Sequence, residues 1–207
     1  MKKSVLNTRG IAEIAIFAAI AFILDFIQEK VFDFIPFFAN GGSIGFASIP
    51  VILIGLRRGV IAGTLCGLIT SLCQMLGGIT TVNAQDFAWY LVFLQILLDY
   101  VLTYTVVGLF AGIFYHLLDK NKTIKYNLLM VSFASIISGL AKFLCHFLAG
   151  CIFWQAFSIF DTPVSAPVYS LVYNGLYSFP NIIIALICLV ILYLKQSRFF
   201  YVNDKIS

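Results

Sequence analysis

A succession of long apolar runs, separated by short polar breaks, limits this chain to very few architectures. The runs lie near residues 9–28, 43–57, 60–78, 88–116, 127–153 and 166–194. A helix needs about 20 apolar residues to cross the hydrocarbon layer, and backbone polar groups in lipid must be satisfied within the protein, which favours helices. The runs therefore predict an all-α integral membrane protein, a six-transmembrane-helix bundle occupying residues 1–207 as a single domain. With 61% hydrophobic and 11% charged residues and a mean hydropathy of +1.01, composition agrees. The second run is short, and "PFFANGGSIGFASIP" around its start reads as a loop that re-enters the membrane. Lys2 and Lys3 ahead of an apolar run also fit a signal peptide. However, Glu13 and Asp25 bracket a run of spanning length and no small-residue cleavage site stands out, so this run is read as the first membrane helix.

Basic residues set the sidedness. With the N-terminus inside, the inner segments hold Lys2, Lys3, Arg9, Arg57, Arg58, Lys120, Lys122, Lys125, Lys195, Arg198 and Lys205, and the outer loops hold Lys30 alone. This bias places both termini in the cytoplasm. The net charge of +4 then reflects topology and lipid headgroups, with no basic patch suited to nucleic acid. The five cysteines lie in apolar segments without metal-ligand spacing and read as core residues.

A few ionisable side chains fall deep within the runs: Asp99, Lys142 and His146, with Glu13 nearer an end. Each charge near a helix centre costs roughly 2.5–3.5 kcal/mol on insertion scales, so such groups face a cavity or each other. In "KFLCHFLAGCIFW", Lys142 and His146 are four apart and share a face, with Trp154 further toward the outer end. Pairing both with Asp99 across helices 4 and 5 leaves two readings open. One is a structural ion pair. The other is an outward-facing pocket, with aromatic walls above a carboxylate and an imidazole.

Such a pocket suits a flat, nitrogen-rich cation, because ring faces attract cations and a carboxylate accepts from amine or ring N–H groups. Tyr100 follows Asp99, and Trp89 and Tyr90 sit at the outer end of helix 4, as pocket wall or as interfacial belt. Tyr169 and Asn174, in "PVYSLVYNG", either meet a ligand or pack on helix 5. Ala15 and Ala19, broadened by Ala18 and Ala21, form a small-xxx-small surface on helix 1. The sequence lacks a phosphate-binding loop, a zinc-protease motif and a nucleophile elbow, which argues against ATP hydrolysis or water activation by this chain. An intramembrane enzyme using His146 and Asp99 and a stand-alone carrier are the competing classes.

At "KFLCHFLAGCIFW" and "PVYSLVYNG", with support from "LDY" at 98–100, "LRRG" at 56–59 and the helix 1 alanines, the chain resembles the thiamine-binding S components of prokaryotic energy-coupling factor (ECF) vitamin transporters. The resemblance extends over essentially the whole chain. It implies the S-component fold in the cell membrane and capture of thiamine from outside without a cofactor or metal. It also implies docking through Ala15 and Ala19 onto a transmembrane coupling subunit driven by two cytoplasmic ATPases. The family's pocket residues fall at Trp89, Asp99, Tyr100, Lys142, His146, Trp154, Tyr169 and Asn174. Trp154 would stack on the aminopyrimidine ring, and Asp99 would bond its ring nitrogen. Asp99 stands where a glutamate is expected, one methylene longer, and Phe37 or Phe38 would replace an entrance tryptophan.

Overall fold

The computed structural model describes residues 6–32, 42–83, 86–154, 158–159 and 162–202; Phe37 and Phe38 lie outside them. Among the described residues there are six helices: α1 (Thr8–Phe32), α2 (Ser48–Arg58), α3 (Val60–Gln74), α4 (Trp89–His116), α5 (Ile124–Phe153) and α6 (Ala166–Gln196). All except α2 are long and apolar enough to cross a membrane, α3 when taken on through its last turn to Gly77. α2 has 11 residues and would rise only about 16 Å. A two-residue antiparallel ladder, Ser158–Ile159 with Thr162–Pro163, lies between α5 and α6.

Helix ends follow local chemistry. The Asn7 side chain accepts from the Gly10 N–H at 2.8 Å, and Thr123 accepts from the Tyr126 N–H at 3.2 Å, capping α1 and α5. Between α2 and α3 the chain reverses at Gly59, whose φ of 90° suits a residue without a β-carbon. α2 begins later than the apolar run suggests. Asn181 on α6 holds the preceding segment in irregular form, accepting from Gly45 N–H at 2.7 Å and donating to Ser43 O at 2.8 Å.

The outer surface of the bundle is apolar, and small and polar side chains share its interior with large aliphatic ones. On α1 the buried stripe is Gly10, Ile14, Ala18, Ala21, Asp25 and Gln28, while Ile16, Ile20, Ile23 and Phe26 are exposed. The alanine surface expected on α1 therefore divides. Ala15 and Ala19 face outward, whereas Ala18 and Ala21 belong to the core on the other side of the helix. A residue three positions on is rotated by about −60°, which carries it over the edge of the face.

α3 and α4 meet backbone to backbone. A β-carbon on Gly63 would strike the Gly108 carbonyl, and one on Gly108 would strike the Gly63 carbonyl. Gly67 meets the Tyr104 carbonyl, and Gly112 meets Val60, in the same way. At one end of the bundle Glu13 accepts from Arg57 Nε at 2.8 Å, Arg58 Nε at 2.6 Å and Arg9 Nε at 3.3 Å. Arg57 also donates to the Phe199 and Tyr201 carbonyls at 3.0 and 2.6 Å, tying the C-terminal turn to α1 and α2. The larger apolar core lies toward that end. A smaller one, with Val82, Ala149 and Phe153, lies at the other. Along α4 and α5 the polar positions fall between these two cores.

Candidate functional site

α4 is not a uniform α-helix. Residues 97–101, "LLDYV", form a π turn between two α-helical stretches, and this turn carries Asp99 and Tyr100. π turns within α-helices occur mostly at functional positions. No proline or glycine marks this one in the sequence.

The π turn opens onto a cavity of about 430 Å³, within the range of small-molecule sites. α5 contributes Lys142, His146, Gly150 and Trp154, successive members of one i, i+4 stripe. From α6 come Tyr169, Tyr173, Asn174 and Tyr177, and the ends of α1 and α3 close the remaining sides. Seven of the eight expected site residues line this space: Asp99, Tyr100, Lys142, His146, Trp154, Tyr169 and Asn174.

Trp89 is the exception. It is 81% exposed, sits edge-on to Tyr90 and is not on the cavity wall, which is the placement of an interfacial aromatic. It lies ten residues before Asp99, about 80° away around the axis and ~15 Å along it.

Asp99 is held by two neighbours. His146 Nδ1 lies 3.3 Å from Oδ1, and Gln95 Nε2 donates to Oδ2 at 3.0 Å. A carboxylate has about four lone-pair positions, so acceptor capacity is left for a ligand, and the side chain keeps 17% exposure. Gln95 also donates to Thr80 O at 3.1 Å, and Tyr100 bonds the Thr80 backbone, accepting from its N–H at 2.6 Å. These bonds staple the segment after α3 over the π turn.

The expected pairing of Lys142 with Asp99 is not formed. Among the described residues the ion-pair partner of Asp99 is His146. Lys142 instead places its ammonium 3.7 Å from the centroid of the Tyr104 ring, and the hydroxyl of that tyrosine donates to Asp25 on α1. Hydropathy alone marked three intramembrane ionisable groups. It took Asp25 as the edge of a run, whereas α1 continues to Phe32 and leaves Asp25 only 4% exposed.

Asn174 both lines the cavity and packs on α5. Its Nδ2 donates to His146 O at 3.3 Å and Ser170 Oγ at 3.0 Å, while its Oδ1 accepts from the Tyr177 hydroxyl. Ser170 in turn donates to Phe147 O at 2.8 Å, so these residues lock α6 to α5 behind the cavity. Gly150 permits that approach, because a β-carbon there would strike Ser170 Oγ. Tyr169 stacks on Tyr173 at 5.6 Å with planes 13° apart, and Tyr173 meets Tyr177 edge-on, giving one wall of aromatic surface.

A bundle of membrane-length helices around one polar, aromatic-walled cavity defines a membrane protein that holds a small polar solute. Residues 11–201 match the family model described as "Thiamine transporter protein (Thia_YuaJ)", and the chain belongs to that family. It is 36% identical over 189 residues to the thiamine transporter ThiT of Bacillus subtilis, covering 90% of this chain and 91% of that one. Identity to the thiamine transporter ThiT of Lacticaseibacillus paracasei is 28% over 201 residues, covering 94% and 91%. A solved structure of ThiT from Listeria monocytogenes superposes with a TM-score of 0.72 at 28% identity, covering 95% of this chain and all of that one.

Proposed function

We propose that this chain is the thiamine-capture subunit of an ECF transporter in a prokaryotic cell membrane, acting in transport rather than catalysis. The observation that carries the reading is the single cavity in which Asp99, His146, Trp154 and the Tyr169–Tyr173 stack meet. Thiamine joins an aminopyrimidine, which can stack and donate hydrogen bonds, to a thiazolium cation, which ring faces and carboxylates attract. Trp154 stacks on the pyrimidine and Asp99 accepts from it. Tyr100, His146, Tyr169 and Asn174 surround the thiazolium and hydroxyethyl end, and Lys142 forms part of the floor. The π turn supports a role for Asp99 despite its short side chain, since it alters the helix backbone at that residue. Family membership and the names of the relatives support thiamine as the ligand.

In this reading the protein is one domain that crosses the membrane six times, with both termini cytoplasmic. α2 and the segment before it supply the crossing that α2 is too short to make alone. The outward alanines Ala15 and Ala19 dock a transmembrane coupling subunit, and two cytoplasmic ATPases supply the energy. Uptake of labelled thiamine into proteoliposomes tests this assembly. Uptake is expected only when the coupling subunit and ATPases are present with ATP, and uptake by this chain alone contradicts the reading.

The placement of the chain's two tryptophans gives a direct optical check. Trp154 lines the cavity and Trp89 does not. Trp154→Ala is expected to abolish most thiamine-induced quenching of tryptophan fluorescence, and Trp89→Phe to preserve it. The reverse pattern would move the ligand away from Trp154.

A further inference from the structure

Lys142 belongs to two neighbourhoods. It lines the cavity one turn from His146, and its ammonium lies over the ring of Tyr104. The hydroxyl of that same tyrosine donates to Asp25 on α1, which also accepts from Gln28 Nε2 at 3.2 Å. Gln28 in turn donates to Ser43 Oγ at 3.0 Å and accepts from Ala47 N–H, so the α1 side of this arrangement is braced by the segment leading into α2. Asp25 is buried and does not line the cavity.

Tyr104 thus links the Lys142 ammonium, over its ring, to Asp25, at its hydroxyl, while Asp99 and Glu29 line the cavity that Lys142 also borders. In a low-dielectric interior an ammonium is drawn strongly to whichever carboxylate it can approach, and Asp99 is close enough to Lys142's own helix to be bonded by His146. Yet Lys142 rests on Tyr104, on the Asp25 side. We propose that Asp25 is a positioning residue that holds Lys142 against Tyr104 and off Asp99, leaving the Asp99 carboxylate available to a cationic ligand. The inference rests on the reading of the cavity as a thiamine site and adds the origin of its preference for positive charge. With Lys142 on Asp99, a cationic ligand would have to displace an internal cation. A neutral ligand would meet a weaker handicap.

The test is a titration of the purified full-length protein with thiamine and, separately, with its neutral hydroxymethyl aminopyrimidine half. The proteins compared are the wild type, Asp25→Asn, Lys142→Gln and the double variant. Asparagine still accepts from Tyr104, so the fold is kept while the charge is removed. Asp25→Asn is expected to weaken thiamine binding about tenfold or more and to change pyrimidine binding much less. In the Lys142→Gln background the same change should have little further effect, a dependence that a purely structural role for Asp25 would not produce. The inference is overturned if Asp25→Asn binds thiamine like the wild type, as it would if Lys142 turned to Glu29 instead. It is also overturned if both ligands weaken equally, or if the loss persists without Lys142. Failure of the wild type to bind thiamine would defeat the functional reading itself, and this inference with it.

Discussion

Asp99→Asn is expected to weaken thiamine binding by about 1.5–3 kcal/mol, the range for hydrogen bonds to charged groups, or roughly ten- to hundredfold in Kd. The substitution barely changes shape, so the loss would report charge and hydrogen-bond direction. One carboxylate oxygen becomes an NH2 that can only donate, yet both partners of the native side chain can present donors: Gln95 Nε2 at 3.0 Å and His146 Nδ1 at 3.3 Å. Either the amide turns its NH2 toward a neighbouring donor or it turns it into the cavity, where the aminopyrimidine needs an acceptor. Calorimetry on purified protein checks the effect. Unchanged affinity would remove Asp99 from the ligand's contacts and leave it as a bond between α4 and α5.

The second large effect concerns the frame. Gly108→Leu is expected to cost more than about 4 kcal/mol, at the severe end for single substitutions. The new side chain would meet the backbone of Gly63, not a flexible neighbour, so relief requires α3 and α4 to separate. Separation would also undo the contacts of Gly67 with Tyr104 and of Gly112 with Val60, and Tyr104 is the ring beneath Lys142. The expected result is loss of monodisperse protein in detergent and a strongly lowered Tm. Gly77→Ala is a suitable control, because its β-carbon meets nothing closer than Glu29 at 3.8 Å. A variant at Gly108 with wild-type Tm would contradict the backbone-to-backbone packing.

Much of the site was legible because charges in a bilayer are conspicuous. Lys142 and His146 declare a shared face by spacing alone, with Trp154 further toward the outer end, and Asp99 stands out in an apolar run. Their cross-helix partners were harder to read, since nothing in a single sequence says which helices touch. Sequence alone pairs Lys142 with Asp99, the other charge deep in a run, whereas the fold gives it Tyr104 with Asp25 behind. A signal for Asp25 was present: Ile14, Ala18, Ala21, Asp25 and Gln28 continue one alternation of four- and three-residue steps, the pattern of a single buried face.

Gln95, Ser170 and Tyr177 carry no net charge and fit within apolar runs, so hydropathy passes over them although they orient Asp99 and Asn174. The facing glycines follow the same logic. The spacing of Gly63 with Gly67 and of Gly108 with Gly112 is visible in each helix, but only the packing shows that the pairs meet. Trp89 could have served as wall or belt, and its exposure follows from a rotation that composition does not report.

The central claim, that the cavity between α4, α5 and α6 is a thiamine site, is tested most directly by titrating the purified protein. Thiamine, its phosphates and riboflavin would each be added while tryptophan fluorescence is followed, with calorimetry as the parallel readout. The account predicts saturable thiamine binding at one site, tighter than for riboflavin, with binding weakened but still detectable by its heat and most of the quench lost in Trp154→Ala. No thiamine-dependent heat, or riboflavin binding more tightly than thiamine, would contradict it.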